Sequence, residues 1–409
     1  MFLIKKSIGL HAYTIMVSLI LFLSSINPIY SASKIKIPFR YVQSFIIIDV
    51  RLENLIPMHF IFDTGAEHHL LFDHTYTDLF TNTYLREVKI MGADLQQEVN
   101  AWITKPMEFN IPVFGSMQLP LVVLQQELFH LNQIVGEDIH GILSASMFSH
   151  HLIQIDFKNH FITLLPIDYE PGKKFSSCDI TVIKNKPYLS AYYTGINSTP
   201  TKIPTLLLDT GAGLPLLLYT GSSSDIQIPE KTISGKLGTG LGGLLNGYIG
   251  KLPEFSFCDF TFKNVISNYQ ELNPLLTNKE QVIKQGIIGN QILDQFTVVF
   301  DYVHQKVYFK PNKNFKQELD IDCSGLSIIA GGPDLRNYYV RFVVPGSAGE
   351  LAGVMEGDQI KRINKKPTKW YNMNQIQRFL QKDEGKKVKL GLIRNGQKLN
   401  ATLILKKII

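Results

Sequence analysis

Apolar residues in this chain fall in short runs separated by Gly, Pro and Asn, not in long helical stripes. The runs at 45–50, 58–62, 120–124, 205–208 and 297–301 are rich in Ile, Val, Leu, Phe and Thr. Such residues pack well on a pleated, half-buried surface, so strands are predicted. Helical periodicity is scarce up to Pro311, and the pattern is mainly β. One run differs. From 12 to 26 the chain is almost continuously apolar, with Lys5 and Lys6 before it and Asn27, Pro28, Ser31, Ala32 and Ser33 after it. A basic start, a short apolar centre and a small-residue exit predict a signal peptide over 1–33, and hence export to a periplasmic or extracellular space. The run is shorter than the ~20 residues of a spanning helix, so membrane contact is expected only where this segment is uncleaved.

The strand-rich region repeats itself. Phe60-Ile61-Phe62-Asp63-Thr64-Gly65-Ala66 matches Leu206-Leu207-Leu208-Asp209-Thr210-Gly211-Ala212, an offset of 146 residues from Asp63 to Asp209. Gly141-Ile142-Leu143 matches Gly286-Ile287-Ile288, and Ile155-Asp156-Phe157 matches Phe300-Asp301-Tyr302, both at an offset of 145. Two copies of one unit are therefore expected, 34–168 and 176–312, with the junction near Pro171 assigned to a second lobe of 169–315. The character changes after Asn312. A polar stretch, 314–322, reads as a linker. Beyond it lie short predicted strands at 326–330, 338–344, 359–363, 387–393 and 399–405, and a helix at 373–381 with Ile376, Phe379 and Leu380 on one face. A short helix is expected within 346–357, between glycine turns, and 320–409 forms a separate small domain.

Composition narrows the function classes. At 45% hydrophobic and 19% charged, the 409-residue chain is neither disordered nor a multi-span membrane protein. The net charge of +6 is uneven: 320–409 holds 16 Lys and Arg against 8 Asp and Glu, and the remainder 25 against 27. Those lysines alternate with Gly, Asn and apolar residues, so a solvated surface is expected and no nucleic-acid partner. Cys178, Cys258 and Cys323 are scattered; one disulfide or three buried thiols both fit, and a Cys zinc site does not. His68, His69 and His74 follow no metal-ligand spacing, so no metal is expected. The glycines at 238–243 lack the Gly-Lys-Ser/Thr ending of a phosphate loop.

A lone Asp-Thr-Gly is a common turn sequence. Here each copy follows three apolar residues, ends in Ala and has a Gly-apolar-apolar companion 77 or 78 residues later. This joint pattern resembles the active-site and ψ-loop motifs of retropepsin-like and pepsin-like aspartic proteases, over about 280 residues. The resemblance implies a bilobal, pseudo-two-fold double β-barrel, with Asp63 and Asp209 as the catalytic pair and no cofactor. Two carboxylates held close together cannot both ionise, so one proton is shared; the charged member deprotonates water and the protonated one polarises the scissile carbonyl. By the same resemblance, Thr64 and Thr210 brace the loops, and Gly65 and Gly211 let backbone N–H groups approach the carboxylates. Ala66 and Ala212 stand where a hydroxyl often hydrogen-bonds the carboxylate, which favours a less acidic pH optimum. The glycine-rich stretch 235–250 reads as a mobile flap or a plain surface loop; the corresponding 90–102 is less flap-like. Two departures are Ser144, where Gly289 stands in the second copy, and Glu67 with His68 and His69 beside the first motif.

The C-terminal part resembles a PDZ domain, carried by Ser324-Gly325-Leu326-Ser327, Pro345-Gly346-Ser347-Ala348, Ala352-Gly353, Gly357-Asp358 and Ile363-Asn364. The resemblance implies peptide binding at Gly325, Leu326, Ser327 and Ile328, with protein C-termini as partners; a cap that binds nothing is the plainer alternative. The combined expectation is an exported aspartic endopeptidase acting on polypeptides, against a catalytically inactive scaffold that uses the PDZ groove.

Overall fold

The computed structural model describes residues 34–91, 98–127, 130–195, 200–240, 243–272, 284–315, 322–381 and 384–408. The expected signal peptide, most of the linker and the tip of the 235–250 stretch lie outside the described residues. Strand accounts for 53% and helix for 9%, so the chain is mainly β, with barrel-like sheets followed by a small C-terminal domain.

Both copies build the same local arrangement. In the first, Phe45–Leu52 pairs antiparallel with Ile56–Asp63, which then runs parallel to Gly141–Ser144, with Leu143 opposite Phe62. In the second, Lys186–Thr194 pairs antiparallel with Pro200–Leu208, which runs parallel to Gly286–Ile288, with Leu208 opposite Ile288. Phe60, Ile61 and Phe62 are all buried, as are Leu206, Leu207 and Leu208. A strand covered on both faces needs an unbroken apolar run, which is why these segments do not alternate.

A six-stranded sheet joins the copies. Its order is Ile35–Pro38, Phe161–Leu165, Leu152–Asp156, Phe296–Asp301, Lys306–Pro311 and Ser176–Asp179. Three strands come from each copy. The central pair crosses between them, with Ile153 opposite Phe300 and Ile155 opposite Val298. Phe257, Phe260, Phe296 and Phe309 form a mutually packed aromatic group on the second side of the core.

Each copy also carries a hairpin. Thr232–Gly240 pairs with Gly243–Phe257, so the described parts of the 235–250 stretch are paired strand. Tyr84–Met91 pairs with Glu98–Thr104 in the first copy, where the sequence looked less flap-like. Cys178 and Cys258 are joined in a disulfide with Cα atoms 5.8 Å apart, which decides the question the sequence left open; Cys323 is buried and not disulfide-bonded.

The C-terminal domain has its own core of Leu326, Ile328, Tyr338, Ile360, Ile376, Leu390 and Leu403. Its sheet begins with Leu326–Gly331 at one edge, followed by Asn337–Val343, Gln359–Ile363, Lys387–Arg394 and Gln397–Ile404. The helix Met373–Leu380 starts at a capping box, in which Asn372 and Gln375 satisfy each other's backbone N–H groups.

Candidate active site

The parallel pairings deliver both aspartates to one place. Asp63 is the last residue of Ile56–Asp63, opposite Ser144. The Asp209 N–H donates to the carbonyl of Ile288 at 3.0 Å, which fixes the second loop in the equivalent register. Between the loops, the Thr64 N–H donates to Thr210 Oγ1 and the Thr210 N–H donates to Thr64 Oγ1, both at 3.0 Å. Each hydroxyl in turn donates across the interface: Thr64 Oγ1 to the Leu208 carbonyl at 2.7 Å, and Thr210 Oγ1 to the Phe62 carbonyl at 2.9 Å. Both threonines are fully buried, so these four bonds have no water to replace them. Thr64→Val keeps the shape but leaves the Thr210 N–H and the Leu208 carbonyl unpaired. It is expected to lower stability by about 3 kcal/mol, from two orphaned buried groups. Chemical denaturation measures this, and a loss under about 1 kcal/mol would show that the brace is dispensable.

The carboxyl groups are locked from both sides. Gly65 N–H donates to Asp63 Oδ1 at 2.6 Å, and Gly211 N–H to Asp209 Oδ1 at 2.8 Å. A Cβ on Gly65 would lie 2.5 Å from Asp209 Cγ, and one on Gly211 would collide with the Asp63 carboxylate. Each glycine therefore lies against the opposite copy's aspartate, and only a residue without a side chain fits. The two carboxyl groups therefore sit together where the loops meet, each close against the other copy's glycine. Burial holds the Asp63 carboxyl well above the ordinary range, with the charge of Asp209 adding to the rise and the N–H groups of Gly65 and Ala66 opposing it.

The departure at Ser144 has a structural reason. Ser144 Oγ donates to the Ala66 carbonyl at 2.7 Å. In the second copy the equivalent Ala212 carbonyl accepts from the Asn290 N–H at 2.8 Å instead, and a Cβ on Gly289 would collide with the backbone of Leu214. The two copies satisfy the same carbonyl by different donors. The Ser144 N–H donates to His69 Nδ1 at 3.2 Å; burial, then His68, lowers the His69 pKa to about 4, leaving the acceptor nitrogen unprotonated near neutrality. Glu67 is occupied with charges from the second copy, Lys184 at 3.8 Å and Lys186 at 4.0 Å.

Tyr302, which the sequence marks only as part of the repeat, lies close to the two aspartates. It is buried, its hydroxyl finds no hydrogen-bond partner among the described residues, and burial raises its pKa, followed by the charges of Asp63 and Asp209. Tyr302→Phe removes an unsatisfied group and is expected to raise stability by about 1 kcal/mol; an unchanged or lowered denaturation midpoint would mean that the hydroxyl is satisfied.

In the C-terminal domain, Leu326 and Ile328 are buried in the core and Ser327 is half-buried. Gly325 adopts φ 71°, and its N–H donates to Asp322 Oδ2 at 2.7 Å. Asp358 of the Gly-Asp motif is buried and pairs with both Arg394 Nε and a terminal Arg394 nitrogen, at 2.7 and 2.8 Å. The family model for the PDZ domain matches residues 339–394. Residues 339–394 are a PDZ domain. Such a domain points to recognition of a peptide or protein partner. No curated protein matches the chain.

Proposed function

We propose that this chain is an exported aspartic endopeptidase, a bilobal double-barrel enzyme in which Asp63 and Asp209 share a proton and activate water for attack on a peptide bond. The observation that carries this reading is the juxtaposed pair of carboxyl groups, each backed by its own loop N–H, close against the other copy's glycine and braced by cross-bonded threonines. Burial and mutual repulsion favour one proton on the pair, which supplies a base and an acid at one point. The acid and base roles belong to the pair and not to either residue alone. The hairpins Tyr84–Met91/Glu98–Thr104 and Thr232–Gly240/Gly243–Phe257 are candidate covers for an extended substrate. Export fits the Cys178–Cys258 disulfide, a bond that persists in oxidising compartments. Digestion of a peptide library by the purified chain, with and without pepstatin, tests the activity. Pepstatin-sensitive cleavage supports it, and a library left intact under all pH conditions refutes it.

A further inference from the structure

A peptide joins a PDZ domain by adding as a strand along an open sheet edge beside a helix. Here that edge is Leu326–Gly331 and the helix is Met373–Leu380. The helix Leu131–Val135 of the first copy packs against this strand. Gly136 caps that helix with φ 74°, and a Cβ on it would lie 2.8 Å from Met373 Cβ and 3.8 Å from Ala330 Cβ. The first copy thus enters the groove between strand and helix at the end away from the Ser324-Gly325 loop. The loop is engaged as well. The Asp322 carboxylate accepts the Gly325 N–H at 2.7 Å and Ser324 Oγ accepts the Leu326 N–H at 3.0 Å, so two donors of the stretch expected to hold a peptide are already bonded.

A second set of contacts leads onward. Asn374, in the first turn of the groove helix, accepts at Oδ1 from Gln43 N–H at 2.9 Å and from Gln43 Nε2 at 2.7 Å. Its Nδ2 donates to the Tyr41 carbonyl at 3.4 Å. The adjacent Ser44 carbonyl accepts from Asn290 Nδ2 at 2.7 Å, and the same nitrogen donates to the Thr210 carbonyl at 2.6 Å. Gln43 and Ser44 form a tight turn with φ 50° and 62°, which leaves them little room to adapt.

We propose that the PDZ groove is occupied in cis by the 131–136 segment, and that this docking clamps the Gln43-Ser44 turn against the loop that carries Asp209. The domain's ligand is then an internal stretch of its own chain, and its role is to hold the catalytic loops in register. The effect on turnover rests on the protease reading; the docking itself does not.

The test uses the full chain and hydrogen exchange read by mass spectrometry. Gly136→Leu places a side chain against Met373 and is expected to raise exchange at least about tenfold in Leu326–Gly331 and in the Gln43-Ser44 turn, with Lys387–Arg394 still protected. Asn374→Ala leaves the groove packing intact and is expected to raise exchange at Gln43 and Ser44 and to lower turnover several-fold. Wild-type exchange at the turn in both variants would overturn the clamp. Exchange that rises while turnover holds would overturn its link to the dyad. A wild type without any turnover would refute the protease reading and leave the exchange result standing.

Discussion

On the proposed endopeptidase reading, replacement of Asp63 or of Asp209 by asparagine is expected to lower peptide hydrolysis by at least about a thousandfold, because each variant would remove one half of the proposed acid–base pair. Both variants should fail alike, since the proton belongs to the pair. A variant that keeps full turnover would end the shared-proton account. Asp63→Asn also carries a stability signature. The Asp63 pKa is raised in the folded chain, first by burial and then by Asp209. A raised folded pKa means that the neutral carboxyl is the form the fold accepts. Its contribution is fully present below the unfolded value of about 3.9 and is lost as pH rises through the folded value. At neutral pH the wild-type pair is therefore a strain that asparagine relieves. Urea midpoints should show Asp63→Asn more stable than wild type at pH 7, with the difference gone at pH 3. A gain that is larger at pH 3 than at pH 7 would reverse the assigned shift.

Loss of the disulfide is expected to be the largest stability change. Cys178 lies on Ser176–Asp179, the edge strand of the sheet that joins the copies, and Cys258 lies in the turn after Gly243–Phe257. The bond closes a loop of 80 residues. Chain-entropy arithmetic for a loop of that size gives about 4.5 kcal/mol. The Cys178→Ser, Cys258→Ser double variant should lose about that much in urea denaturation, and added reductant should then have no further effect on it. Equal midpoints for wild type and double variant would show that the crosslink constrains nothing. Because Ser176–Asp179 sits beside Lys306–Pro311, reduction should first loosen that edge of the shared sheet.

Much of the molecule was legible in particular residues. The constant offset between the Asp-Thr-Gly copies reflects a duplicated strand pairing, and the register of Phe62 opposite Leu143 and of Leu208 opposite Ile288 repeats it. The predicted helix at 373–381 lies at Met373–Leu380, where the Asn372 cap and the buried Met373, Ile376 and Leu380 are local signals. Gly357-Asp358, which helped carry the PDZ resemblance, lies inside the matched domain, where Asp358 pairs with Arg394. The pairing of Tyr84–Met91 with Glu98–Thr104 rests on cross-strand contacts, for which the glycine content used to compare 90–102 with 235–250 is no guide. Tyr302 carried no signal beyond its place in the repeat, since a buried tyrosine beside a pair of acids looks like any core aromatic.

The sequence by itself determined the two acidic loops, their small and hydroxyl neighbours, the strand-rich copies and the PDZ domain's turns. These are local requirements of backbone conformation and apolar spacing, written within a few residues of where they act. Tertiary structure alone decided which cysteines pair, that Ser144 and Asn290 serve the same carbonyl in the two copies, and that Gly136 and Asn374 tie the PDZ domain to the first copy. Each of those depends on distances between residues far apart in the chain, and short polar or glycine residues at such contacts look, in sequence, no different from solvated ones.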